Sequence, residues 1–216
     1  MKRFFLLVAL ALGLAAPATT PAHAQVCGVN TVPQIGVICA VVGQPTYTAT
    51  AVLLAPASSA TDIMCLNGST TKTVSLRRVL ISGTAATAIT TPVLLNLNHS
   101  LDTAGTPATG LALPVAAPLN PSNAAATATV TAWTTNGTVN DTTPNLLWGQ
   151  AVPFPVTTTA TNPITQIEAG PGAVTLFSQS WDIPKAGTVV QQICINLDGK
   201  TIATGLLNIT FEWAEN

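Results

Sequence analysis

The fold class this chain predicts is all-β: an antiparallel β-sandwich of about nine or ten strands, with a jelly roll as one form of it. Three observations carry that expectation. Charged residues make up 7% of the 216 and aromatics 5%, so the Lys- and Glu-rich material of surface helices is missing. Apolar residues still reach 48%, which supplies a core and argues against a disordered chain. Short β-branched runs bounded by Gly, Pro, Asn and Asp recur along the chain, several of them alternating with period two.

Residues 1–24 read as an export signal rather than as fold. Lys2 and Arg3 form a positive start, Phe4 to Ala16 is an apolar run, and Ala22-His23-Ala24 offers a small-residue cleavage site. The run is too short to span a bilayer, which takes about 20 residues, and no later stretch approaches that length. Residues 25–45, punctuated by Gly and Pro, read as an arm, and residues 46–216 as the sandwich domain.

Within the domain, Thr46–Leu54 is the first strand, and Asp62–Leu66 is a second, closed by the hairpin-type signal Asn67-Gly68. In Lys72–Ser82, Val74 and Leu76 alternate in one phase while Val79 and Ile81 continue in the other. The slip at Arg77-Arg78 predicts a β-bulge, with charge that could also blunt a sheet edge or meet an anion or partner. Val93, Leu95 and Leu97 line a further strand, and His99 falls in phase at its end as a half-buried side chain. Residues 103–123 read as a long loop. Ala128, Val130 and Ala132 then alternate against Thr127, Thr129 and Thr131, up to Trp133. Asn136-Gly137 is a turn signal, and residues 157–163 are irregular. Val189, Gln191, Ile193, Ile195 and Leu197 share a face before the turn Asp198-Gly199. Leu207, Ile209, Phe211 and Trp213 alternate with Asn208, Thr210 and Glu212, as a half-buried antiparallel strand does.

All four cysteines, Cys27, Cys39, Cys65 and Cys194, follow the signal. An even count in an exported chain reads as disulfides and places the protein outside the cell or in the periplasm. Three connectivities are open; Cys27–Cys39 and Cys65–Cys194 is the pairing expected here, closing the arm and tying an early strand to a late one. No close-set cysteine pair of the zinc-binding kind occurs, so neither metal nor cofactor is expected.

Without the signal the charge is five basic against eight acidic residues, which gives no electrostatic handle on nucleic acid or an acidic membrane. No catalytic signature emerges. His99 is the one histidine beyond the signal, and a histidine-dependent triad needs oriented partners. Ser69-Thr70-Thr71-Lys72 matches S-x-x-K, yet it lies between a turn and a strand, where that acylation motif needs a helix. Among the scattered carboxylates Asp198 is explained by its turn and Glu212 by its outward strand phase, while Asp62 and Asp182 are the least explained, which makes them the candidate pair for hydrolysis. Of the four tryptophans, Trp148 in the Pro-flanked segment 146–155 is the candidate ligand-binding surface, for a glycan or a cell surface. Asn67, Asn98, Asn136, Asn140 and Asn208 head N-x-[ST] sequences.

Three stretches carry a resemblance. Residues 62–82, with Gly-Ser-Thr-Thr-Lys-Thr-Val and Arg-Arg-Val-Leu-Ile-Ser-Gly, residues 120–133, and the end from Ile193-Cys-Ile-Asn-Leu to Leu207-Asn-Ile-Thr-Phe-Glu-Trp resemble phage and prophage-type uncharacterised β-proteins. The resemblance implies a virion or particle subunit without catalysis. The expected function is therefore an exported, non-catalytic structural or assembly subunit forming a homo-oligomer or larger assembly. A secreted glycan- or surface-binding module is the alternative.

Overall fold

A computed structural model of the chain describes residues 26–28, 38–40, 44–56, 62–103, 105–135, 141, 143–156, 167–169, 180–186, 190–200, 202 and 205–216. The expected export signal, the Asn136-Gly137 turn and residues 157–163 lie outside them. The chain divides into two compact units, Met1–Gly43 and Gln44–Asn216. In the first, β1 (Val26–Gly28) pairs antiparallel with β2 (Ile38–Ala40), and Cys27 and Cys39 are Cα partners in that register.

The second unit is the β-sandwich. Its strands are β3 (Thr46–Leu54), β4 (Asp62–Asn67), β5 (Val74–Thr84), β6 (Ile89–Asn98), β7 (Thr106–Pro107), β8 (Ala117–Pro118), β9 (Thr129–Thr135), β10 (Asn145–Phe154), β11 (Ile167–Ala169), β12 (Trp181–Ile183), β13 (Gln192–Asn196) and β14 (Leu206–Glu215). One antiparallel sheet runs β10-β6-β13-β4-β9-β7 and the other β11-β5-β14-β3-β8, with β12 also paired to β5. Successive strands β3, β4, β5 and β6 fall in alternate sheets, so each connection crosses from one layer to the other. Among the described residues eight strands of five or more residues build the layers, and pairs as short as Thr106–Pro107 and Ala117–Pro118 fasten the expected loop to their margins. Among the described residues no helix is long and apolar enough to cross a membrane.

The core lies between the sheets. Met64, Leu66, Val93, Leu95, Ile193 and Ile195 meet Tyr47, Val74, Leu76, Val79, Ile209, Phe211 and Trp213, all fully or nearly fully buried. Tyr47 stacks on Trp213 with ring centroids 5.8 Å apart, and its hydroxyl donates to the Ala124 carbonyl.

The expected bulge is present. Glu212 faces Arg78 and Trp213 faces Leu76, so Arg77 is the extra residue on β5. Both Val74–Leu76 and Val79–Ile81 can therefore turn apolar side chains inward despite the phase slip. The edge reading of the arginines is overturned: β5 lies inside its sheet, between β14 on one side and β11 and β12 on the other. Asn67-Gly68 closes no hairpin, because β4 and β5 belong to different sheets. There the Gly68 amide donates to the Gln191 carbonyl, and a Cβ on Gly68 would lie 2.6 Å from Ile183 Cγ2. This glycine is required by close approach rather than by a turn. Asp198-Gly199 is a turn as expected, with φ of 50° and 76° and the Lys200 amide donating to the Leu197 carbonyl.

Candidate functional site

In the first sheet Ile193 and Ile195 point to the core, so alternation turns Gln192 and Cys194 to the opposite face. That face is not solvated in its middle. Gln192, Cys194, Cys65, Asp62, Asn96 and Asn98 are all buried, although most are polar. Cys65 and Cys194 are register partners on β4 and β13 and are joined by a disulfide, with Cα atoms 4.1 Å apart across 129 residues of sequence. The expected Cys65–Cys194 pairing is thus the observed one.

Around the disulfide the polar groups are organised. Asp62 accepts from Asn98 Nδ2 at 2.7 Å and from Asn196 Nδ2 at 2.8 Å, which satisfies both carboxylate oxygens with neutral amides. Asp102, from the segment after β6, is buried with Oδ2 3.7 Å from Cys65 Sγ. Asn98 Nδ2 also lies 3.5 Å from Cys194 Sγ, while Asn98 Oδ1 has no hydrogen-bond partner among the described residues. One ligand atom each from Asp62, Cys65, Asp102 and Cys194 fit within 4.8 Å of one another. The absence of close-set cysteines gave no hint of this grouping, because its members come from three separate segments of chain.

The other candidates do not converge. Asp182 stands exposed on β12 of the second sheet, accepting from Ser180 Oγ at 2.7 Å, and forms no pair with the buried Asp62. Ser69 Oγ accepts from the Thr71 and Lys72 amides, and Lys72 Nζ lies 3.4 Å from Glu215. The S-x-x-K match is therefore a side-chain-closed turn. Trp148 sits on β10 next to a register shift, half-buried and packed against the core. Arg78 pairs with Glu212, and Arg77 donates to Gln44 Oε1.

His99 departs from its expected place. His99 keeps the parity of Leu95 and Leu97 but lies just past the end of β6 at Asn98, where it is exposed rather than half-buried. Its Nδ1 meets Asp141 Oδ2 at 2.9 Å, and its Nε2 faces the Asn145 amide at 3.4 Å rather than a hydroxyl. Hydrogen bonds from the His99 amide, the Thr143 amide and the His99 ring hold the Asp141 carboxyl at about 2.

Glu215, one of the carboxylates scattered along the sequence, is buried. It accepts from the Thr127 amide and hydroxyl, the Ala128 amide and Trp213 Nε1. Burial works to raise its pKa, but the bonds from Ala128, Thr127 and Trp213 outweigh it and leave the carboxyl below its usual range. No family model, curated protein or solved structure matches the chain.

Proposed function

We propose that this chain is an exported, non-catalytic structural subunit that acts by packing against copies of itself or other components of a particle or cell-surface assembly. The observation that carries this reading is the segment from Leu111 to Leu119. Leu111, Leu113, Val115 and Leu119 are 71, 47, 68 and 55% exposed, yet the segment is fastened to the sandwich. Ala117 and Pro118 pair with β3, and the Leu119 amide donates to the Thr46 carbonyl at 2.9 Å. Apolar side chains displayed on a pinned segment are the mark of a contact surface. The scarcity of charge points the same way, since a dense charged coat is what keeps monomers apart. The non-catalytic part of the proposal draws on the separation of Asp62 from Asp182 and on the amide facing His99 Nε2.

Light scattering of the mature protein across tenfold dilution tests the reading. A mass of several chains is expected, reduced by Leu111→Ser with Val115→Ser. A mass of one chain, unchanged by dilution and salt, overturns self-assembly; a positive glycan array lost in Trp148→Ala would then establish the binding-module alternative.

A further inference from the structure

We propose that the cluster around Cys65 and Cys194 is a zinc-class metal site in the dithiol form of the protein, with Asp62, Cys65, Asp102 and Cys194 as the four ligands. The four donor atoms already lie within 4.8 Å of one another, all on buried side chains. A closed zinc site takes four ligands in a tetrahedron, and thiolate sulfur and carboxylate oxygen are both among the donors that zinc binds. Two carboxylates held this close in a buried setting repel each other, and a dication between them removes that repulsion. A second observation points to the same ligand. Asn98 is fully buried and sends Nδ2 into the cluster, 2.7 Å from Asp62 Oδ2 and 3.5 Å from Cys194 Sγ. An amide so placed can orient a ligating carboxylate from outside the first coordination sphere.

The disulfide and the metal exclude each other, because the bond occupies both sulfurs. A water-soluble phosphine opens the site: the S–S bond takes two electrons from phosphorus, one water supplies the oxygen of the phosphine oxide, and its two protons go to the sulfurs. Zn²⁺ then displaces those two protons to solvent and binds the thiolates. Reoxidation by dioxygen, which takes the two thiolate electrons and two protons to give hydrogen peroxide, re-forms the S–S bond and releases Zn²⁺.

The test uses the full chain, reduced by phosphine and desalted without oxygen. It is treated with iodoacetamide with and without Zn²⁺, and each cysteine is read by peptide mass spectrometry. Zinc is expected to abolish alkylation of Cys65 and Cys194. Cobalt in its place is expected to give thiolate-to-metal absorption in the near ultraviolet. Asp62→Asn with Asp102→Asn should lose both effects while still forming the Cys65–Cys194 bond in air, and Asn98→Ala should weaken zinc roughly 10- to 100-fold. Equal alkylation with and without zinc in the unaltered chain overturns the proposal, whatever the variants do. So does protection that survives both aspartate changes, or loss of the β-sheet circular dichroism on reduction.

Discussion

Arg78 on β5 reaches Glu212 on β14, with Nη2 2.6 Å from Oε1 and Nε 3.1 Å from Oε2, directly beside the looped-out Arg77. The ion pair is partly exposed, with the two side chains 39 and 26% accessible, and such pairs are worth about 0–1 kcal/mol. What matters at this point is the extra residue. Removing Arg77 leaves Val74, Leu76 and Val79 in one continuous phase, so the deletion is expected to fold with only modest loss. Removing Leu80 instead lets the bulge close one slot out of step, turning Val79 outward at about 1.5–3 kcal/mol and bringing the charged Arg78 into its buried position, together a large part of a typical stability of ~5–15 kcal/mol. Urea denaturation of the two deletions checks this; equal loss in both refutes the bulge argument.

Replacing Glu215 should be among the most damaging single changes. Glu215→Ala strands the Thr127 and Ala128 amides and the Trp213 indole in a buried site, an expected loss of about 3–5 kcal/mol. Thermal unfolding monitored by tryptophan fluorescence measures it, and a loss below ~1 kcal/mol would contradict the burial argument.

The acid limb of stability follows from the same carboxyl. Its folded pKa is depressed from 4.5, so the native state holds the proton less tightly than the unfolded chain does. The associated stability is present above the unfolded value and is lost as pH falls through the folded one. Asp141, held at about 2 against 3.8, acts in the same direction over a window reaching lower pH. Denaturant midpoints between pH 5 and 2 should therefore fall steadily, and Glu215→Gln should flatten the upper part of that fall. An unchanged slope in Glu215→Gln would remove Glu215 from the account.

Non-reducing digestion of protein from an oxidising compartment should yield a peptide linking Cys65 to Cys194 and another linking Cys27 to Cys39. The first bond closes a loop spanning 129 residues of sequence, and its removal by Cys65→Ser with Cys194→Ser should cost about 2–5 kcal/mol. A Cys27–Cys65 peptide would contradict both pairings.

Gly68→Val should destabilise by about 1–3 kcal/mol, since its β-carbon alone already collides with Ile183 Cγ2. Pairing it with Ile183→Ala should recover part of the loss in a double-mutant cycle. Strict additivity of the two changes would show that the contact is not what limits this position.

The legibility of the chain follows the periodicities. The bulge could be read because a run of apolar residues changed phase at Arg77-Arg78, and β14 because Leu207, Ile209, Phe211 and Trp213 kept theirs. Period two names two faces but cannot tell that both are covered. Alternation with Val93, Leu95 and Leu97 puts Asn96 and Asn98 on the polar side of β6, yet both are buried. The hint available was chemical: those outward positions carry amides and a cysteine rather than charges. Asp102 and Glu215 gave no such hint, since what makes each of them part of a cluster is a partner far away in sequence.

The position of β14 between β5 and β3 has a consequence for the order of events during biogenesis. The two early strands of that sheet have no direct pairing with each other and must wait for the strand made last among those described. At roughly 5–20 residues per second, synthesis holds them waiting for on the order of ten seconds. Long-range pairing of this kind also closes slowly once its partner arrives. The layer can lock only after translation has passed residue 206.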